Sequence, residues 1–193
     1  MEKRASKMAN NNETNRDSKT LTVPVNIGSD HIRGSINAPI TIVEYGDYEC
    51  PYTGRAYPVV QELIKQFGDQ IYFVFRNFPL SDIHPHAQHA SEAAEAAAGQ
   101  DKFWQMHDYL FEHQKALDDN HLLEYAKKVG LDIDRFKKEM SKHVYAPIIN
   151  KSLKSGIDSG VEGTPTFFVN GVRYEDSWDF DTFSSFLKEN LPR

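Results

Sequence analysis

Cys50 is the only cysteine of the chain, and it stands in the stretch Tyr48-Glu49-Cys50-Pro51-Tyr52-Thr53-Gly54. A second thiol at position 53 would make a Cys-x-x-Cys pair and a reversible disulfide; threonine is there instead. One cysteine excludes an internal disulfide and leaves a single sulfur nucleophile. A thiol at a helix start meets backbone N–H groups that lack partners and the positive end of the helix dipole. Both favour the thiolate, which is the form that attacks disulfides. Pro51 suits that first turn, where the N–H it lacks is not needed. The sequence therefore predicts a reactive sulfur, open to solvent, at the tip of a helix.

Three further features converge on it. Glu44 is an acid inside an apolar strand, which is costly unless it has partners or a role, and it is placed to relay a proton to or from the sulfur. Thr53, one turn into the helix, has two readings that both stand: its hydroxyl donates to the Cys50 sulfur, or it bonds to nearby backbone. Gly163-Thr164-Pro165 precedes a strand, where proline is unusual. A cis Thr164–Pro165 bond is expected there, setting the Thr164 backbone beside the cysteine and free to pair with an extended peptide. Tyr48, Tyr52 and Phe78 are read as surface near the thiol.

The elements that must position these residues follow from periodicity. Residues 21–27 (LTVPVNI) read as an edge strand, 40–46 (ITIVEYG) and 70–77 (QIYFVFRN) as buried strands, and 51–67 as the helix between the last two, kinked at Pro58. The order strand, helix, strand predicts a parallel βαβ unit. From about 84 to 160 only helices are expected, beginning with the alanine-rich HPHAQHASEAAEAAAGQ and ending in a helix over 144–159. In PTFFVNGVRYE, Asn170-Gly171 marks a hairpin. WDFDTFSSFLKENL is a closing amphipathic helix, with Asp179 or Asp181 at its start and the acidic run 176–181 as a solvated turn.

Other candidates are weaker. His84, His86 and His89 do not make a metal site: Pro85 breaks the geometry between the first two, and no thiol or carboxylate stands beside them at ligand spacing. Trp104, Met106, Tyr109, Leu110 and Phe111 read as core. The net charge of −6 is spread along the chain, so no basic face exists for nucleic acid. No apolar run reaches the roughly 20 residues that span a membrane. Residues 1–20 are polar, lack the apolar section of a secretory signal and read as a disordered arm. A cytoplasmic location is the resulting expectation.

The motifs EYGDYECPYT, Pro58 eight residues after Cys50, FRNFPL with HPHA, and GTPTFFVNG resemble those of the DsbA-like thiol–disulfide oxidoreductases. The resemblance runs from about residue 20 to 193, and is nearest to a bacterial cytoplasmic subgroup with members fused to sodium/proton antiporters. It implies an α/β thioredoxin-like fold, residues 21–81 and 160–193, interrupted by an inserted all-helical domain, 82–159. It also implies that Cys50 attacks disulfides of proteins or peptides, that Glu44 assists proton transfer and that Pro165 is cis. Cys50, Pro51, Thr53 and Glu44 are then the catalytic set; Tyr52, Gly163, Thr164 and Pro165 contact substrate. The departure is Thr53: without a resolving thiol the dithiol cycle is closed to this chain. A monothiol cycle with no bound cofactor remains, in which glutathione or another small thiol is cosubstrate. Two alternatives stay open, a glutathione transferase-like enzyme and a non-catalytic peptide-binding adaptor or chaperone.

Overall fold

The structure is a computed structural model that describes residues 20–192; the proposed N-terminal arm lies almost wholly outside the described residues. Strands β1 (His31–Gly34), β2 (Ile40–Gly46), β3 (Ile71–Asn77), β4 (Thr166–Val169) and β5 (Val172–Arg173) form one sheet in the order β1-β3-β2-β4-β5. Helix α1 (Pro51–Phe67) joins β2 to β3, which pair in parallel as the βαβ reading expects. The other pairings, β1 with β3, β2 with β4 and β4 with β5, are antiparallel. Between β3 and β4 lie five helices: α2 (Ala87–Ala98), α3 (Phe103–Glu112), α4 (Asp119–Lys128), α5 (Ile133–Ser141) and α6 (Ala146–Asp158). Helix α7 (Phe180–Glu189) follows the β4–β5 hairpin, and its N-cap Asp179 accepts a hydrogen bond from Thr182 N–H at 3.0 Å. The hairpin turns at Asn170 and Gly171, both with positive φ (50° and 80°), the backbone that an Asn-Gly pair tolerates.

The alternation along β2 divides the interior. Ile40 and Ile42 join a large cluster with Leu63 of α1, Phe73 and Phe75 of β3, Met106 and Leu110 of α3 and Phe183 of α7. Val43 and Tyr45 face the other way, into a smaller cluster with Val74, Phe78, Val161 and Phe168. Alanines 90, 93, 94, 96 and 97 belong to the large cluster too. The short side chains of α2 let it sit among α3, α4, α5 and α6 with nearly every face covered. The helices between β3 and β4 thus share a continuous apolar core with the sheet.

The expected edge strand over 21–27 is not formed. Thr20 makes a lone bridge to Val172, Leu21 N–H donates to Gly171 O (2.8 Å), and the following residues are irregular. The reason is a buried cation. Arg76 of β3 gives its guanidinium to the carbonyls of Val23 (2.9 Å) and Pro24 (3.2 Å), to Tyr45 Oη (3.0 Å) and to both carboxylate oxygens of Asp30 (2.9 Å each). Carbonyls spent on a side chain, and a proline without a donor, cannot also serve a strand ladder. Helix α1 runs through Pro58 without interruption, from Pro51 to Phe67.

Arg76 and Asp30 are 6% and 13% exposed, so removing one partner strands a buried charge. Asp30→Ala is expected to lower stability by about 3–5 kcal/mol. The urea midpoint checks this, and a loss under ~1 kcal/mol would show that the pair does not anchor the segment.

Candidate functional site

β2 ends at Gly46, and the four residues that follow turn the chain into α1. Asp47, fully buried, organises that turn. Its Oδ1 accepts from Glu49 N–H (2.7 Å), and its Oδ2 accepts from Leu80 N–H (2.8 Å) and lies 2.8 Å from His84 Nδ1. Glu49 adds a second tie by accepting from His86 N–H at 2.6 Å. The loop after β3 is thereby clamped to the turn that carries the cysteine. The histidines expected to be polar loop and helix-start residues are engaged separately: His84 with Asp47, His86 through its backbone with Glu49, and His89 with Asp119 at 2.7 Å.

Gln114, from the connection between α3 and α4, closes the turn from the opposite side. Its amide nitrogen donates to the carbonyls of Tyr48 (2.9 Å) and Cys50 (2.7 Å). Gly54 makes this approach feasible, since a Cβ there would fall 2.1 Å from the Gln114 amide oxygen. Nothing in the sequence marks Gln114; it sits in a polar connection with no motif. Asp47 lies inside the quoted EYGDYEC motif, but no spacing rule assigns it a task.

Cys50 is the N-cap residue of α1 in extended conformation, and its side chain makes no capping bond to the first-turn N–H groups. Its Sγ instead donates to the carbonyl of Thr164 at 3.2 Å. The sulfur is not open to solvent as the sequence suggests, because Cys50 is only 3% exposed. The Thr164 carbonyl and the closed turn cover it. The Thr164–Pro165 peptide is cis. Pro51 occupies the first helical position, exposed, and Tyr52 beside it is 57% exposed with Arg55 over its ring at 4.5 Å. Gly163 faces open space. The structure brings Cys50 and Thr164 into contact, with Pro51 and Tyr52 following the first in the chain and Gly163 and Pro165 flanking the second.

Two placements, Tyr48 and Phe78, differ from expectation, and at Thr53 the backbone reading holds over the sulfur one. Thr53 is fully buried, and its hydroxyl oxygen faces Asp47 N–H at 3.5 Å, with no hydrogen bond to the sulfur. At that turn of α1 the side chain points inward, against Gly46. Tyr48 is also fully buried; its hydroxyl is hydrogen-bonded to Nδ1 of the buried His107 (3.1 Å), and its ring packs on Phe75 and Phe111. Phe78, 3% exposed, belongs to the smaller core cluster. Of the three aromatics read as surface, only Tyr52 is.

Glu44 is 3% exposed, and its Oε1 has no hydrogen-bond partner. Alternation along β2 puts it on the same face as Gly46, hence on the side of the sheet that carries Thr53 and α1. Burial removes the water that would solvate its charge and pushes the pKa from 4.5 up to about 8. At neutral pH it holds a proton. Burial acts in the opposite sense on His107, keeping the imidazole neutral, and it raises the Tyr48 phenol well above its ordinary range.

A thioredoxin family model matches residues 26–189, and the chain belongs to that family. Its fold is the DsbA-like version, with helices inserted between β3 and β4. Oxidised BdbD from Bacillus subtilis superposes with a TM-score of 0.78 at 24% identity, covering 90% of this chain and 98% of that one. A thioredoxin-like oxidoreductase from Silicibacter pomeroyi gives 0.74 at 26% identity over 91% and 96%. Among curated relatives, the Na(+)/H(+) antiporter NhaA 1 of Salinispora arenicola is 48% identical over 165 residues, 86% of this chain but 25% of the antiporter. The NhaA of Herminiimonas arsenicoxydans is 40% identical over 87% and 27%. The chain therefore spans about a quarter of these relatives' length.

Two outcomes test the site. The native state keeps the Glu44 proton between pH 4.5 and 8 while the unfolded chain has lost it. Stability should therefore fall as pH rises through this window, by about 1.4 kcal/mol per pH unit. Glu44→Gln should flatten that fall in urea titrations at successive pH values; an unchanged slope would place the proton elsewhere. Gly54→Ala should displace Gln114 and change the rate at which Cys50 is alkylated in the native protein by about tenfold, the scale of one lost hydrogen-bonded clamp. Gln114→Ala should shift the rate the same way, whereas equal rates in all three proteins would remove Gln114 from the site.

Proposed function

We propose that this chain is a monothiol thiol–disulfide oxidoreductase acting through Cys50. The observation that carries the reading is the contact of Cys50 Sγ with the Thr164 carbonyl, 3.2 Å away, in a DsbA-like fold. Once the sulfur has given up its proton, that carbonyl can accept from an extended substrate. In the first step the Cys50 thiolate attacks one sulfur of a disulfide R–S–S–R′. The Cys50–S–S–R bond forms as the old bond breaks, and R′–S⁻ leaves and takes up a proton. Thr53 cannot expel the captured group, so a small thiol such as glutathione does so. Its sulfur attacks the sulfur that carries R, so the disulfide G–S–S–R forms as the Cys50–S bond breaks, and its proton passes to the departing Cys50 sulfur, restoring the free thiol. Glu44, protonated at neutral pH and buried on the α1 side of the sheet, is the internal group suited to proton transfer.

The antiport activity in the relatives' names is not carried over to this chain. No helix among the described residues is long and apolar enough to cross a membrane. We read the matched quarter of those proteins as a redox module attached to a transporter. One observation favours a second reading, a peptide-binding adaptor: Cys50 keeps only 3% of its surface.

Native Cys50 is expected to react with iodoacetamide and to be reduced back from a glutathione mixed disulfide by free glutathione, with Cys50→Ser inert in both assays. Thr53→Cys should form an intramolecular disulfide under mild oxidant and lose its reactive thiols. A sulfur that stays unmodified until the protein is unfolded would defeat the redox reading, and peptide binding indifferent to Cys50→Ala would then establish the adaptor.

A further inference from the structure

A monothiol cycle has a chemical need that a dithiol cycle does not: the thiol that resolves it arrives from solvent carrying its own proton. In the Cys50–S–S–R intermediate the attacked sulfur lies one bond, about 2 Å, beyond Cys50, and the incoming sulfur lies further out. Glu44 is buried and holds a proton at neutral pH, so it is no base for a thiol on the outer side. His84, which opens the HPHA stretch, has the geometry of such a base. Its Nδ1 lies 2.8 Å from Oδ2 of Asp47, and the main-chain carbonyl of the same Asp47 accepts from Cys50 N–H at 3.2 Å. One residue therefore holds the imidazole by its side chain and the cysteine by its backbone.

The ring is fixed in position and in tautomer. Asp47 is fully buried, and its carboxylate also accepts from Glu49 N–H (2.7 Å) and Leu80 N–H (2.8 Å), so it cannot swing away. A carboxylate against Nδ1 puts the ring proton on that nitrogen and the accepting lone pair on Nε2. The backbone of His84 is held as well: its N–H donates to Leu80 O (2.9 Å), and its carbonyl accepts from Ala87 N–H (3.2 Å). Nε2 has no hydrogen-bond partner among the described residues, and the side chain keeps 15% of its surface, so the ring is not sealed from a small molecule. A clamp alone would need only a donor to Asp47. An imidazole supplies that donor and a second nitrogen.

We propose that His84 is the general base of the resolving step, taking the proton of the incoming small thiol on Nε2. The inference goes beyond the monothiol reading and rests on it. The thiol G–SH gives its proton to Nε2, and G–S⁻ attacks the sulfur that carries R. G–S–S–R forms as the Cys50–S bond breaks, and the electron pair stays on the Cys50 sulfur. The proton then passes from Nε2 to that sulfur, which returns His84 and Cys50 to their starting forms.

The test uses the full chain with Cys50 loaded as a mixed disulfide with a fluorescent cysteine peptide, and it reads release of the peptide at neutral pH. Two nucleophiles are compared: glutathione, which must lose a proton, and sulfite, which is in part already proton-free. His84→Asn keeps a side-chain N–H for Asp47 and lacks Nε2; His84→Gln is the second variant. A few per cent of a free thiol is ionised at neutral pH without help, so the loss with glutathione is bounded and should be about tenfold in both variants. With sulfite the rates should stay within about twofold of the unmodified protein, because there is no proton for a base to remove. An equal fall with both nucleophiles would make His84 a structural clamp and overturn the proposal, as would no fall with glutathione. If glutathione releases nothing even from the unmodified protein while sulfite does, the monothiol cycle itself fails, and that result is distinct from a normal release indifferent to position 84.

Discussion

The antiparallel pairing of β2 with β4 is the constraint on which the site depends. It sets Tyr45 opposite Thr166, so the chain leaving β2 and the chain entering β4 meet at the same end of the sheet. From that register follow the approach of the Cys50 sulfur to the Thr164 carbonyl and the position of Glu44 across from Phe167. A slip of one residue would turn Glu44 to the opposite face and carry Thr164 away from the cysteine. Apolar burial on both faces of β2 prevents the slip, with Ile40 and Ile42 committed to one cluster and Val43 and Tyr45 to the other.

The turn itself is held by polar atoms drawn from distant segments. Asp47 ties it to the loop after β3, and Gln114 ties it to the connection after α3. The cysteine is therefore gripped by the sheet and by the inserted helices at once. Because the helices between β3 and β4 also share the apolar core of the sheet, a disturbance there reaches the sulfur through packing as well as through Gln114. The buried acids of α2 add a further link: Glu95 meets His31 of β1 at 3.0 Å and accepts from Asn77 of β3 at 2.7 Å.

The elements were legible wherever a local rule suffices. Pro51 starts α1, Asn170-Gly171 makes the hairpin, and the periodic apolar residues of the helices find the core as expected. The convergence of Cys50 with Thr164 and Pro165 was legible through family motifs, because no local spacing relates residues so far apart in the chain. What escaped depends on nonlocal partners. Residues 21–27 read as a strand until Arg76 claims their carbonyls. Tyr48 reads as surface, yet the burial of His107 and Phe111 beneath the turn encloses it. The sulfur reads as exposed because a sequence does not show the carbonyl that covers it.

The oxygen that meets the sulfur belongs to the main chain. Every residue type presents a carbonyl, so the identity of the side chain at position 164 can drift over generations without removing this acceptor. What inheritance must preserve is the path of the backbone into β4. A catalogue of tolerated substitutions would then show freedom at the residue touching the thiol, and intolerance at the strand residues that steer it there.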